Sequence, residues 1–189
     1  MRIWNTKLPT KVKYFGWLLY HGRLNTRAAL HYKGIQELED SYCETCATTL
    51  DTQEHIFCEC RLASEVWGRM GVTCYPEWCQ APWLIGSYLP LPPQVHLDVI
   101  LLTMWQIWKA RNKLIFDQAL ATASDILRQV INDMDSWSCR YKDNKNLLHT
   151  WRMYLANSCN SVDSLPPSPV LLTWECLGHL CKSMFLSME

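Results

Sequence analysis

The chain has no apolar run long enough to cross a bilayer. Its longest, Val99 to Trp108, is broken by Thr103 and Gln106 and followed by Lys109, whereas a spanning helix needs about 20 apolar residues in succession. The opening residues, Met1-Arg2-Ile3-Trp4-Asn5-Thr6-Lys7, have no apolar segment behind them, so no secretory signal is expected. There is no Gly-rich phosphate loop. No Ser, Cys, His and acid set forms a catalytic triad at any persuasive spacing. With these gaps no membrane anchor is expected, and nucleotide hydrolysis and nucleophilic catalysis are left without residues to carry them. The expected setting is intracellular, nucleus or cytoplasm, and not secreted. In a reducing compartment the ten cysteines mean metal ligation and packing, not a disulfide scaffold.

Apolar residues make up 49% of 189, enough for a core, and ten tryptophans favour an aromatic-rich helical interior. Net charge is zero, but it is unevenly distributed. Residues 1–36 carry seven basic side chains (Arg2, Lys7, Lys11, Lys13, Arg23, Arg27, Lys33) and no acid. Residues 37–65 carry eight acids against Arg61 alone, so +7 is followed by 1 − 8 = −7. The basic block is interleaved with Trp4, Tyr14, Phe15, Trp17, Tyr20 and Tyr32, a composition suited to phosphates and bases. Pairing with the acidic block inside the fold is the alternative use of the same charges.

Helical periodicity recurs along the chain. Leu8-Pro9-Thr10 opens a helix whose stripe is Val12, Phe15, Leu18 and Leu19, ended by Gly22. Asn25-Thr26 caps a short second helix from Arg27 to Lys33, with Gly34 after it. Asp51 or Thr52 caps a helix carrying His55. Another runs from Arg61 through Leu62, Val66, Trp67 and Met70 to Gly71. Asp98 to Phe116 and a following helix, capped by Thr122 or Ser124, read as an antiparallel pair. The fold class expected is mostly α. A zinc-binding domain over 1–71 is followed by an irregular connection over 72–97, a helical pair over 98–145, and a linker and weakly structured tail over 146–189.

The strongest chemical signal is Cys43-x-x-Cys46, then His55, then Cys60. Three thiols and an imidazole at these separations form a four-coordinate zinc set. All four positions are protein ligands, which leaves none open for water or substrate, so a single structural zinc is expected. Cys58 lies three residues after His55 and competes with Cys60; Cys60 is favoured because a turn ending the His55 helix can return it to the ion. Cys176, His179 and Cys181 resemble half of a second site and lack a fourth ligand. His21, His31, His96 and His149 read as surface or packing residues.

Several motifs agree in order with one family. Leu8 to Leu18 (Leu-Pro-Thr-Lys-Val-Lys-Tyr-Phe-Gly-Trp-Leu), Gly22 to Arg27, Cys43-x-x-Cys46, Glu54-His55, Cys60, and Glu65-Val66-Trp67 together resemble the zinc-binding domain at the C-terminal end of plant LINE-type (non-LTR) reverse transcriptases. Trp105 to Phe116 is similar to the helix that commonly follows it. The likeness covers about residues 4–142. The polymerase domain and its Tyr-x-Asp-Asp motif are not matched by any residue here, nor is a ribonuclease H-like domain. Cys58 stands where the family usually has an aromatic residue. The resemblance therefore implies a truncated or co-opted retroelement fragment that is not an enzyme and has no polymerase activity. It would bind RNA or DNA, with Lys11, Lys13, Arg23 and Arg27 as phosphate contacts. The alternatives are a zinc-stabilised module that engages a protein partner through the Trp105/Trp108 face, or a remnant without selected function. Neither a membrane nor a small-molecule substrate is expected.

Overall fold

The computed structural model describes residues 2–160. The expected linker and apolar tail beyond Asn160, with Cys176, His179 and Cys181, lie outside these residues. Within them the elements are α1 (Thr10–Tyr20), α2 (Arg27–Tyr32), a π-helical turn (His55–Glu59), α3 (Arg61–Arg69), α4 (His96–Asp117), α5 (Ala123–Trp137) and α6 (Lys145–Asn160), joined by short 3-10 turns. The chain is mostly α, as its periodicity predicts. The only pairing of extended backbone among the described residues is an isolated antiparallel bridge, Tyr42 to Leu50.

α4 carries the longest buried stretch of the fold. From Val99 to Met104 every residue is buried, and a helix that is apolar on all sides must be covered on all sides. α1, the π turn and α5 supply that cover, while α3 and α6 pack on α5. Gly16 sets the approach of α1 to α4: a Cβ there would lie 3.1 Å from Leu101 Cδ2 and 3.3 Å from Ile3 Cγ2. A buried carboxylate fixes the same junction. Asp98 accepts from the Lys7 N–H at 2.8 Å and the Tyr141 O–H at 2.6 Å. Burial still raises its pKa above the usual carboxylate range.

Helix ends follow the local sequence. Gly22 (φ 62°) and Gly71 (φ 62°) take the left-handed conformation after α1 and α3. There the Arg23 N–H reaches Leu18 O at 2.8 Å and the Val72 N–H reaches Trp67 O at 2.9 Å. Thr26 caps α2 by accepting from the Ala29 N–H. Of the two candidates for α5, Thr122 is the cap, in a reciprocal capping box with Asp125.

Two expectations about domain limits need revising. Residues 146–160, read as the start of a linker, form most of α6. Its stripe of Leu148, Trp151, Leu155 and Ser158 is at helical spacing, but it sits among Asn, Ser and His that mask the period. The connection over 72–97 is irregular yet not loose, because Cys79, Ile85 and Val95 within it are buried. One hydrophobic core runs from Ile3 to Leu155 across both of these expected boundaries. Long-range polar ties reinforce it: the Trp151 indole N–H donates to Pro92 O at 2.9 Å and the Tyr154 O–H to Met70 O at 2.7 Å.

Candidate metal centre and basic face

Two local structures deliver the four ligands. The first is a minimal hairpin. The Cys43 N–H bonds to Thr49 O at 2.9 Å and the Asp51 N–H to Ser41 O at 2.9 Å, which folds Cys43-x-x-Cys46 into a tight turn. Ala47 closes that turn with φ 57°, a left-handed conformation in which a Cβ is unfavourable. The second is the π turn. The Thr52 hydroxyl caps its start by accepting from the His55 N–H at 3.2 Å. At its end the Cys60 N–H bonds to His55 O at 2.7 Å, five residues back. That one-residue widening swings Cys60 toward the same point as His55, which an α-helical spacing would not do.

The Cys43, Cys46, His55 and Cys60 ligand atoms all lie within 4.8 Å of one another. Cys60 Sγ is 3.9 Å from both Cys43 Sγ and Cys46 Sγ. Two thiolates about 2.3 Å from a tetrahedral zinc stand about 3.8 Å apart, so the spacing is that of ligands around an ion. The imidazole gives an independent test. His55 is 3% exposed, and neither ring nitrogen has a hydrogen-bond partner, a costly arrangement unless a metal takes one of them. Nδ1 faces the Glu59 carboxylate at 3.8 Å, a group of the kind that orients a zinc-bound histidine.

Two of the thiols share a proton in the cluster. The Cys60 S–H donating to Cys43 holds the Cys43 thiol down at about 5, with help from the Cys46 and Thr45 backbone N–H groups against the opposing effect of burial. The same contact and burial push Cys60 up. Buried thiols so close can share protons, or give them up together to a dication. These residues hold one structural zinc, and Cys60, not Cys58, is the fourth ligand. The Cys58 thiol is elsewhere, 2.7 Å from Cys74 Sγ.

Asp51 links this corner to the rest of the fold. It is 1% exposed, and it accepts from the Arg27 N–H at 3.0 Å and the Arg111 Nε at 3.3 Å, with Arg111 Nη2 closing the ion pair. The sequence suggests only a helix cap for Asp51. The sole hint of its partner is Arg111 within the Trp105–Phe116 motif.

The four residues expected to contact nucleic acid are not gathered into one cluster. Lys11 and Arg23 are exposed on or just after α1, over the Trp137 ring (5.7 Å) and the Trp17 ring (5.8 Å) respectively. Lys13 is half-buried and donates to Trp4 O at 3.1 Å. Arg27 is committed to the zinc corner, pairing with Glu44 at 2.7 Å and donating to Tyr42 O at 3.1 Å. Trp105 and Trp108, expected to face a protein partner, are half-buried and pack on Phe15, with ring centroids 5.3 and 6.5 Å away. No helix among the described residues is long and apolar enough to cross a membrane.

No curated protein and no solved structure matches this chain. Residues 1–67, which contain α1, α2, both ligand-bearing turns and most of α3, match the family described as zinc-binding in reverse transcriptase, so this N-terminal part is similar to the zinc-binding module of reverse transcriptases.

Proposed function

We propose that the module binds single-stranded RNA or DNA through α1 and the turn that follows it, has no polymerase activity of its own, and derives from a plant non-LTR retroelement. The observation that carries the binding step is the aromatic row on α1. Tyr14 stacks on Trp17 with centroids 5.8 Å apart and planes at 14°, and Trp17 meets His21 at 4.7 Å. The Arg23 guanidinium lies over Trp17. Beside this row, Tyr20 touches Trp83 at 6.0 Å and the Arg2 guanidinium lies 5.5 Å from the same indole. Tyr14 is 54% exposed and Tyr20 39%, and residues 1–36 contain no acid to repel a phosphate. Flat rings flanked by cations favour unstacked bases of any sequence. Lys11 and Arg23 supply the phosphate contacts, while Arg27 serves the zinc corner. The zinc acts at one remove: Gln53, two residues before His55, donates from Nε2 to Leu19 O at 2.9 Å and so holds the end of α1.

Fluorescence anisotropy with labelled single-stranded oligonucleotides tests this reading. Trp17→Ala should weaken binding about 5- to 150-fold, the equivalent of about 1–3 kcal/mol for one lost base stack. Lys11→Ala and Arg23→Ala should each flatten the dependence of affinity on salt. Affinity that ignores both salt and these substitutions, or no binding at low salt, overturns it.

A further inference from the structure

A second group of thiols includes Cys58 of the π turn, and the zinc site uses none of them. Cys58 is buried, Cys74 half-buried and Cys79 buried. Cys58 Sγ is 2.7 Å from Cys74 Sγ. Cys58 also points at Tyr75 O (3.4 Å) and Cys79 at Gln53 O (3.5 Å).

The two sulfur groups differ in spacing. The zinc thiols stand 3.9 Å apart, with room for an ion between them. Cys58 and Cys74 are too close to share a tetrahedral ion, which needs about 3.8 Å between sulfurs. Their two chain segments already face each other, so joining the sulfurs requires little backbone movement.

We propose that Cys58 and Cys74 are a reversible oxidation site, forming a disulfide that ties the π turn to the segment after α3 while the zinc stays bound. The oxidant class is a peroxide. One sulfur of the pair gives up its thiol proton and attacks a peroxide oxygen, which breaks the O–O bond and leaves a sulfenic acid and one water. The partner sulfur then displaces the hydroxyl from the sulfenic acid, and its own proton departs with that hydroxyl as a second water. Two electrons pass from the two thiols to the peroxide, and a dithiol reverses the change by exchange. The bond closes a loop containing the whole of α3 and anchors the turn that carries two zinc ligands, His55 and Cys60. The oxidised chain should therefore lose zinc to a chelator more slowly than the reduced one.

The test uses the zinc-loaded full chain treated with hydrogen peroxide, followed by alkylation, non-reducing digestion and mass spectrometry, with released zinc read by a chromogenic chelator. Of ten cysteines, two should become unreactive after denaturation, 10 − 2 = 8 remaining. A tryptic peptide ending at Arg61 should be joined to the one containing Cys74. Dithiothreitol should undo the link, and zinc should stay at one per chain throughout. Cys79→Ser should retain the cross-link and Cys74→Ser should abolish it; because Cys74 is half-buried and outside any helix, that variant keeps the test informative even if Cys58→Ser fails to fold. Zinc release in step with oxidation, a link through Cys60 or Cys79 instead, or a second bound metal that protects the trio from alkylation would each overturn the proposal.

Discussion

The zinc corner and the α4–α5–α6 side of the molecule are held together by different means. On the helical side, Ile126, Leu127, Val130 and Met134 of α5 and Leu148, Trp151 and Leu155 of α6 are all buried. Apolar area removed from water does the work there, and it needs no cofactor. The corner between Tyr42 and Cys60 contains one isolated bridge, a left-handed alanine and a histidine whose ring nitrogens have no hydrogen-bond partner. Ile56 and Phe57 of its π turn join the core, but the loop from Tyr42 to Leu50 before them buries only Cys43 and has little to offset the entropy of ordering it. A metal ion supplies what burial does not. The contrast explains why one end of the chain tolerates a local sequence rich in acids and thiols, and why the other needs a sustained apolar stripe.

Metal removal should have the largest effect and should be uneven. Zinc binding by small metal-folded domains is worth about 10–16 kcal/mol at neutral pH, so stripping the ion, or Cys46→Ser, should unfold the corner outright. Hydrogen exchange resolves the two regions. The amides of Cys43, Ala47, Asp51 and Cys60 should lose protection on chelation, while those in the middle of α5 and α6 keep most of theirs. Equal loss across the chain would mean that the corner and the helices form one cooperative unit, and the contrast drawn above would fail.

The two regions also differ in how far their sequence discloses them. The ligand set is legible because spacing alone brings it together, and the caps at Gly22, Thr26, Gly71 and Thr122 are legible because they act within one helical turn. The π turn is not: nothing in His55 to Cys60 distinguishes a five-residue hydrogen bond from a four-residue one, although it decides that Cys60, and not Cys58, reaches the ion. Pairs distant in sequence are equally hidden. Asp51 and Arg111 are 60 residues apart, and the Trp67 indole donates to Phe57 O at 2.7 Å across the turn between two elements. α6 was obscured for another reason: its apolar stripe is narrow, and the residues between carry the polar composition of a linker.

Asp51 is the joint between the two regions, so its removal should come second in size. Asp51→Ala leaves Arg111, whose side chain is only 13% exposed, without its carboxylate, and takes the acceptor from the Arg27 N–H at the start of α2. Breaking a buried pair in this way costs about 3–5 kcal/mol, and the partial exposure of Arg111 puts the expectation at the lower end. Asp51→Asn can still accept from Arg27 and should lose less. Urea unfolding of the zinc-loaded variants measures both. If the alanine variant falls within about 0.5 kcal/mol of the parent, in the range of an ordinary surface substitution, the joint is not carrying the corner.

The smallest effect isolates the helical side. The Thr122 side chain accepts from the Asp125 N–H at 3.1 Å, and the Asp125 carboxylate returns to the Thr122 N–H at 3.0 Å. Both residues lie at the start of α5, which carries no zinc ligand although Thr122 borders the same cavity as Cys43 and Cys60, and α6 ends against the same turn through Ser124 and Cys159 O at 3.4 Å. Thr122→Ala should cost about 1 kcal/mol, the usual value for a lost N-cap, while Thr122→Ser should cost less because its hydroxyl can make the same bond. Neither variant should change the rate at which a chelator removes zinc, since no zinc ligand lies on α5. Thermal melts paired with zinc-release kinetics separate the outcomes: a lower melting temperature with unchanged release keeps the two regions energetically distinct, whereas faster release from Thr122→Ala would mean that α5 stability reaches the metal through α4.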